Sequence, residues 1–445
     1  MGSVLIRGGS ILTMNDACDI VEGDVAIEGQ HIVAVGADAG RARPRFDIVL
    51  DAGGAVVMPG MVQTHLHLCQ TVFRGLADDL TLLDWLQARV WPLEAAHTPA
   101  TLRVAARLAS AELLRTGTTV ALTMETVHDT DAVIEEVAAL GLRATIGKCL
   151  MDGTSGTNVP SRLQESTRDA IDEGLALHAR WDGAADGRIR VAFAPRFAIS
   201  CTRDLLEAVG SLSRTHRMLV HTHASESRGE VEIVRRDTGL SNMAYLDAVG
   251  LASPRLCAAH CIWIDETEIA MMASRQVKVL HCPGSNLKLG SGVAPIVELQ
   301  RAGISVSLGA DGAACNNRLD MFDEMRLAAT LQAMRVGPGV LPARDVVWMA
   351  TRGGAQALGL ESAIGSIENG KLADVTVVGM DGPHQQPGTN PYSTLVYATH
   401  GTDVRHVLVD GHVRVRDGHL TGLDPAAVTH QARGAARELM TRAGL

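Results

Sequence analysis

Two pairs of histidines in this sequence have the spacing of metal ligands on a β-strand. His65 and His67 form the first pair, and His221 and His223 form the second, each with one residue between its members. Side chains two positions apart project from the same face of a strand, so both imidazoles of a pair would point together. A single pair is better explained by two hydrogen-bonded core histidines. Two pairs, accompanied by acidic residues near the ends of other strands, favour a metal site.

The candidate ligand set suits a borderline divalent ion such as zinc, which binds imidazole nitrogens and carboxylate oxygens. Asp311 supplies a carboxylate at the end of a later apolar segment. With His65, His67 and one member of the second pair, it makes four ligands, and spacing alone leaves His221 and His223 as alternatives. A second ion would need a bridging Lys, Asp or Glu, and the segment RIRVAFAPR ends without one. The sequence therefore predicts one divalent ion.

Asp311 itself and two residues near these ligands have the chemistry of proton transfer or charge stabilisation. A divalent ion lowers the pKa of bound water and so provides a nucleophile. We expect Asp311 to accept the proton of the water, Glu226 to protonate a ring nitrogen of the substrate, and His260 to orient the water or stabilise developing charge. Structural alternatives exist, because a carboxylate such as Glu226 suits a helix start and His260 suits a core position. Their place beside the histidine pairs favours catalysis.

The middle of the chain alternates strand-like and helix-like segments, which is typical of parallel βαβ units. Eight segments have strand character: VQTHLHL, TTVALTM, LRATIGKCL, RIRVAFAP, MLVHTHAS, RLCAAHC, VKVLHCP and ISVSLGAD. They predict an α/β fold, a TIM-type (β/α)8 barrel over residues 58–360, with catalytic groups at the C-terminal ends of the strands. The candidate residues lie at those ends, so distant parts of the chain would meet in one site.

The two ends of the chain share a different pattern. Residues 1–57 and 361–422 contain short β-segments broken by glycines, as in DVAIEGQHIVAVG and VRHVLVDGHVRVRDG. We expect them to form one small β-sandwich, which requires the middle of the chain to be inserted as a unit whose ends lie close together. Residues 423–445 follow as a predicted C-terminal helix.

Composition argues against several classes of partner. The net charge of −10 and the pI of about 5.9 disfavour nucleic acid, because proteins that bind it carry basic patches. No run approaches about 18 apolar residues, the length of a membrane span, and the N-terminus does not have the pattern of a signal peptide. We expect a cytoplasmic homo-oligomer with a small-molecule substrate and with no nucleic acid or membrane partner.

The ordered motifs resemble those of the amidohydrolase superfamily, in particular the aminohydrolases of nucleobases, nucleosides and s-triazines. The resemblance runs through MPGMVQTHLHLCQTVFRGLADDLTLLDWL, HTHASESRGE, AAHC, HCPGSNLKLGSG, LGADGAACNNRLDMFDEMR and IGSIENGKLADV. It implies a zinc ion, or in some members iron, and selects His223 over His221. The implied metal ligands are His65, His67, His223 and Asp311. The resemblance also implies that Glu226 and Asp311 transfer protons and that His260 contacts the hydrolytic water.

The substrate motifs point in two directions. RGLADDLTLLDWL and NNRLDMFDEMRLA resemble the S-adenosylhomocysteine, methylthioadenosine and 5'-deoxyadenosine deaminases, and also the triazine hydrolases. Where those nucleoside deaminases carry His-Ala-Pro-Tyr, this chain has Pro195-Arg196-Phe197, which resembles guanine deaminase. Gln70 and Arg196 together would suit the amide edge of an oxopurine. The structural alternatives are an ion pair between Arg196 and a nearby carboxylate, and a plain helix-start role for Gln70.

Trp85 is the third predicted substrate contact, either as a platform beneath a flat heterocycle or as ordinary core. Taken together, the motifs favour a metal-dependent purine deaminase, with adenosine-type nucleosides ranked above guanine-like oxopurines. An s-triazine amino- or chlorohydrolase is a further alternative. A metal-binding relative without activity is disfavoured, because such relatives tend to lose ligands and every ligand is present here.

Overall fold

The computed structural model describes residues 2–154 and 156–445. Its first strands are β1 (Ser3–Leu12), β2 (Ile20–Glu28), β3 (His31–Gly36), β4 (Ile48–Asp51) and β5 (Ala55–Pro59). β1 pairs antiparallel with β2 and parallel with β4 and β5. Apolar side chains at alternate positions, such as Val4 and Ile6, are buried in a core that this sheet shares with the C-terminal part of the chain.

The central part of the chain forms a parallel sheet. Its strands are β6 (Met61–His67), β7 (Thr118–Met124), β8 (Arg143–Leu150), β9 (Ile189–Pro195), β10 (Val220–Ala224), β11 (Leu256–His260), β12 (Lys278–His281), β13 (Val306–Leu308) and β14 (Asp311–Gly312). Neighbours in the sheet follow chain order from β6 to β13, and β14 pairs with β6. Nearly every strand residue is buried, as in sheets covered on both faces. This topology is consistent with the predicted TIM-type fold.

The eighth predicted strand, ISVSLGAD, is divided in the structure into β13 and β14. Gly309, between them, passes so close to β6 that a Cβ built on it would lie 2.7 Å from the backbone nitrogen of His65. Asp311 then adopts a left-handed backbone conformation, with φ of 63°. The local sequence pattern predicts one continuous strand, whereas close approach to β6 interrupts it and brings Asp311 beside the histidines.

Helices lie in the connections between consecutive strands from β6 to β13, and the last five helices follow β14. Their bounds are α1 (Leu82–Trp85), α2 (Trp91–Ala95), α3 (Pro99–Arg115), α4 (Thr130–Leu140), α5 (Thr167–Trp181), α6 (Arg203–His216), α7 (Arg228–Thr238), α8 (Asn242–Ala248), α9 (Glu266–Ser274), α10 (Pro283–Lys288), α11 (Ile296–Arg301), α12 (Met321–Val336), α13 (Ala343–Ala350), α14 (Arg352–Ala357), α15 (Pro391–Tyr397) and α16 (Pro425–Ala443). Local signals set several ends. α3 starts after a capping box at Thr98 with Pro99 in its first turn, and α4 stops at Gly141, where φ is 84°.

The chain returns to its first sheet through β15 (Val375–Gly379), β16 (Val404–Val409), β17 (His412–Arg416) and β18 (His419–Leu420). β15 pairs antiparallel with β5, so both ends of the chain contribute to one hydrogen-bonded sheet. A buried ion pair joins this sheet to the parallel one: Arg143 on β8 donates to Asp374 at 2.8 Å and to Asp410 at 2.9 Å. Within the described residues, no helix has the length and apolar character needed to cross a membrane.

Candidate active site

Four side chains meet at the C-terminal ends of three parallel strands. His65 and His67 come from β6, His223 from β10 and Asp311 from β14, and one potential ligand atom of each lies within 4.8 Å of those of the others. The Asp311 Oδ1 atom lies 3.3 Å from Nε2 of His65 and 3.2 Å from Nε2 of His67. All four side chains are buried. The residues that the sequence predicts as metal ligands therefore form one compact cluster.

Hydrogen bonds behind the cluster fix which ring nitrogens carry protons. Nδ1 of His67 lies 2.8 Å from the Met124 carbonyl oxygen, and Nδ1 of His223 lies 2.7 Å from that of Arg196. A carbonyl oxygen only accepts, so each Nδ1 is the donor and each Nε2 presents a lone pair. The two Nε2 atoms are 3.2 Å apart and both face Asp311. Lone pairs this close repel one another unless a cation lies between them, so the donor set fits a metal ion.

The structure separates the roles of the second histidine pair. Nε2 of His221 lies 2.6 Å from Nδ1 of His65, and Nδ1 of His221 faces the Thr123 carbonyl at 3.4 Å. With a proton on each Nδ1, His65 donates to His221 and keeps a lone pair on its own Nε2. That Nε2 atom is buried with no hydrogen-bond partner among the described residues. His221 therefore orients His65 from behind, whereas His223 faces the cluster.

Burial sets the charge states that metal binding requires. It lowers the pKa of His65, and together with the neighbouring histidines it holds the pKa of His223 well below its usual range. Burial by itself would raise the pKa of Asp311, but His65 and His67 outweigh it and hold that pKa well below normal. Neutral His65 and His223 beside an ionised carboxylate are in the forms that bind a divalent cation.

A second group of side chains shares Asp311. Nε2 of His260 lies 3.6 Å from Oε2 of Glu226 and 3.9 Å from Oδ2 of Asp311. His260 is anchored through Nδ1 to Oδ1 of Asn286 at 2.7 Å and has a left-handed φ of 71°. Burial, then Asp311 and Glu230, raise the pKa of Glu226 well above normal. Asp311 thus lies between the histidine cluster and a carboxyl group that favours its protonated form.

Comparison with known proteins agrees with this geometry. The sequence profile of the Amidohydrolase family matches residues 56–414. The chain belongs to the amidohydrolase family. It is 41% identical over 438 residues to a 5'-deoxyadenosine deaminase of Methanothermobacter thermautotrophicus, covering 98% of this chain and 99% of the relative. It is 40% identical over 421 residues to a 5-methylthioadenosine/S-adenosylhomocysteine deaminase of Desulforudis audaxviator, covering 94% and 95%.

A solved structure is also closely similar. The adenosine deaminase from Xanthomonas campestris with bound zinc superposes with a TM-score of 0.92 at 36% sequence identity, and the match covers 98% of both chains. The family resemblance predicted from the sequence is confirmed, and with it the prediction of a hydrolytic enzyme that acts on carbon–nitrogen bonds of cyclic amidines.

Two predicted substrate contacts of this amidohydrolase share one carboxylate that sequence reasoning missed. Arg196, only 2% exposed, forms an ion pair with Glu94 of α2 through Nη1 and a 3.2 Å contact through Nη2. Nε2 of Gln70 donates to the same carboxylate at 2.9 Å. The ion pair is the structural alternative that the sequence left open for Arg196. No spacing signal links Glu94 to Arg196, because about a hundred residues separate them.

Gln70 and Arg196 each have a polar atom that could contact a substrate. Oε1 of Gln70 and Nε of Arg196 are buried without hydrogen-bond partners among the described residues. Trp85, at the end of α1, is 4% exposed and packs in the main hydrophobic core, and its indole Nε1 likewise has no partner in the described part of the chain. Contact of these three side chains with substrate stays a prediction.

Glu125 is another buried carboxylate that the sequence analysis did not single out. It follows β7 and accepts the backbone N–H groups of Leu68 at 3.3 Å and Cys69 at 3.0 Å, directly after the first histidine pair. Burial raises its pKa to about 7. Its contacts hold the turn that follows His67. Its position at the end of a strand of the parallel sheet was the available signal, although it carries no motif spacing of its own.

Proposed function

We propose that this chain is a metal-dependent deaminase of adenosine-type nucleosides, such as S-adenosylhomocysteine, methylthioadenosine or 5'-deoxyadenosine, and that it releases ammonia. The observation that carries the proposal is that the two carboxylate oxygens of Asp311 face two different groups of side chains. One of its oxygens faces the histidine cluster and the other faces Glu226 and His260. This arrangement can move a proton from an attacking water to a leaving amine. The nucleoside class is supported by the names of the relatives at about 40% identity.

One divalent ion, Zn²⁺ with Fe²⁺ as the alternative, would be held by the histidine cluster and Asp311. A single ion is supported by β9, which ends at Pro195 without a lysine or carboxylate that could bridge two ions. Bound there, the ion would supply an attacking water of lowered pKa. The proposed ligands are His65, His67, His223 and Asp311.

The side chains around the ion would divide the proton transfers. Glu226, protonated at its carboxyl, donates to a ring nitrogen next to the carbon that carries the amine, which makes that carbon electrophilic. Asp311 accepts one proton from the water through Oδ2 and returns it to the leaving amine, so ammonia departs. The second proton of the water is released as the ring carbonyl forms and restores the proton that Glu226 gave to the ring nitrogen. Nε2 of His260 has a lone pair, because Nδ1 donates to Asn286, and it accepts a hydrogen bond that orients the water.

Gln70, Arg196 and Trp85 are our proposed substrate contacts, and their surroundings support the ranking of substrates. Both terminal nitrogens of the Arg196 guanidinium donate to Glu94, so few of its N–H groups remain to bind the oxo group of a guanine-like base. This supports adenosine-type nucleosides over oxopurines. A guanine-like oxopurine is the second candidate, because Oε1 of Gln70 and Nε of Arg196 have no partners among the described residues and match a donor and an acceptor on its amide edge.

The test is an ammonia-release assay on the zinc-loaded protein. The panel comprises the three nucleosides named above, adenosine, guanine, 8-oxoguanine, aminotriazines and a chlorotriazine. We expect the highest kcat/KM on a 5'-modified adenosine. Glu226→Gln should keep one equivalent of zinc and lose about 10²- to 10⁴-fold in turnover, the usual contribution of a general acid–base group. Preferred turnover of guanine, or release of chloride rather than ammonia, would replace the proposal with the corresponding alternative.

Several organisational predictions accompany this proposal. We propose that the parallel sheet closes as a (β/α)8 barrel over residues 58–360 and that residues 1–57 and 361–422 form a β-sandwich, followed by a C-terminal helical segment at 423–445. The direct pairing of β14 with β6 and of β5 with β15 supports this division. The cytoplasmic location, the homo-oligomeric state and the absence of a nucleic acid partner stay predictions from the sequence.

A further inference from the structure

A fully buried glutamate lies directly behind the proposed general acid. Glu230, in the first turn of α7, is 0% exposed, and its Oε2 atom accepts the backbone N–H of Glu226 at 2.7 Å. Its Oε1 atom accepts a hydrogen bond from Nδ2 of Asn242 on α8. Ser227 caps the same helix, because its hydroxyl accepts the N–H of Glu230 at 3.2 Å. Glu230 thus ties together the strand end, α7 and α8.

The backbone that carries Glu226 is held from two sides. Ser225 has a left-handed φ of 52°, and its carbonyl oxygen accepts the N–H groups of Ile262 at 3.0 Å and Trp263 at 2.9 Å. These bonds fix the carbonyl end of the Ser225–Glu226 peptide to the segment after β11, and Glu230 fixes the N–H end of the same peptide. The direction of the Glu226 side chain towards His260 therefore depends on a strained turn that is held by hydrogen bonds on both sides.

We propose that Glu230 is a positioning residue for Glu226, which fixes the peptide of the general acid so that its carboxyl group stays beside His260 and Asp311. This inference rests on the proposed deaminase function. A capping role alone would only stabilise α7 and the fold. A positioning role adds a catalytic consequence, because a displacement of about 1 Å of an acting group can reduce turnover by about 10²-fold.

Glu268 provides a matched control. It lies in the first turn of α9, is 5% exposed and accepts two backbone N–H groups, that of Asp265 at 3.1 Å and that of Met243 on α8 at 3.0 Å. It therefore shares with Glu230 the burial, the place in the first turn of a helix whose N-cap side chain accepts its N–H, and the contact with α8. It has no hydrogen bond or ion pair with Glu226, His260 or Asp311 among the described residues.

The first measurement compares Glu230→Gln with Glu268→Gln in zinc-loaded protein on the best substrate of the panel. Glu230→Gln replaces a carboxylate whose two oxygens both accept by an amide with one accepting oxygen, so the bonds from the Glu226 N–H and from Asn242 cannot both persist in their present form. We expect kcat to fall about tenfold to hundredfold with KM changed less than about threefold and zinc content unchanged. Glu268→Gln should lower the melting temperature similarly while kcat stays within about twofold of the parent protein. Equal kcat losses in the two variants would overturn the inference.

A double-mutant cycle provides the decisive measurement. If Glu230 acts only through Glu226, then Glu230→Gln should have no further effect on the residual turnover of Glu226→Gln. The same fold loss in both backgrounds would refute a positioning role. Should Glu230→Gln fail to fold, Asn242→Ala removes only the partner of Oε1, and we expect a smaller kcat loss that also vanishes in the Glu226→Gln background. Parent protein that releases no ammonia from any substrate would contradict the proposed function itself, which the assay reveals before any variant is made.

Discussion

Replacement of Arg196 by Met removes one charge from a buried ion pair and leaves the other without its partner. Glu94 is 3% exposed, and without Arg196 its carboxylate keeps only the N–H donated by Gln70. Burial by itself would raise the pKa of Glu94, and Arg196 outweighs that effect and lowers it. Met fills much of the vacated space, so the main consequence of the substitution is an uncompensated buried charge.

The magnitude follows from the burial of both partners. Removal of one member of a buried ion pair costs about 3 to 5 kcal/mol. With an unfolding entropy of about 2.1 cal/mol/K per residue over 445 residues, a loss of 1 kcal/mol lowers the melting temperature by about 1 °C. Arg196→Met should therefore melt about 3 to 5 °C below the parent protein. Adding Glu94→Gln removes the orphaned charge and should restore most of that loss.

Thermal melting of the zinc-loaded proteins, followed by circular dichroism at pH 7, provides the assay. The control is Arg203→Met, which breaks an exposed pair with Glu207 that joins atoms 2.7 Å apart, with the arginine side chain 61% exposed. Exposed pairs contribute about 0 to 1 kcal/mol, so this control should melt within about 1 °C of the parent. The difference in melting temperature between Arg196→Met and the parent protein should be smaller at pH 5. The pKa of a buried, unpaired Glu94 is raised, and its neutral form does not bury a charge.

Two results would refute this reasoning. One is a melting temperature for Arg196→Met as close to the parent as that of the exposed control. The other is a double variant with Glu94→Gln that is no more stable than Arg196→Met alone. Either result would mean that the ion pair with Arg196 does not stabilise the buried carboxylate of Glu94. The guanidinium of Arg196 would then be available to bind substrate, as the oxopurine alternative requires.

Three further predictions address the site and the fold. His223→Asn should abolish stoichiometric zinc binding. His221→Asn removes only the hydrogen-bond partner of the proposed ligand His65, so it should weaken zinc affinity about 10- to 100-fold in a chelator competition. Equal losses of zinc affinity in the two variants would mean that both histidines are ligands. Gly312→Ala would place a Cβ 2.1 Å from Oε1 of Gln70, so we expect at least a tenfold loss of kcat/KM, and unchanged kinetics would show that Gln70 is not constrained there. Burial raises the pKa of Glu324 to about 8, above its value of about 4.3 in unfolded chains. Between these pH values the folded state binds one more proton than the unfolded state, so the free energy of unfolding falls as pH rises from about 5 to 8. Glu324→Gln should therefore make the melting temperature decline less over this pH range.

The order of strands and the choice of residues at their ends were predictable from the sequence, because both depend on local patterns. Apolar segments separated by helix-compatible stretches indicate parallel βαβ units, and period-two spacing places His65 and His67 on one face. The division of the last strand into β13 and β14 was not predictable. It results from contact between Gly309 and the backbone of His65. These residues are far apart in the sequence, so the local sequence pattern of neither segment indicates the contact.

The sequence by itself therefore determined which side chains are candidates for the site, because their types and strand-end positions follow from short-range spacing. Only the tertiary structure decided what each one faces. His221 and His223 have the same spacing, and they differ because one meets the ring of His65 and the other meets the Arg196 carbonyl. The partner of Arg196 was decided in the same way. Hydrogen bonds and ion pairs depend on distances between strands and helices that are remote in the chain, and those distances are set only when the sheet and its helices pack together.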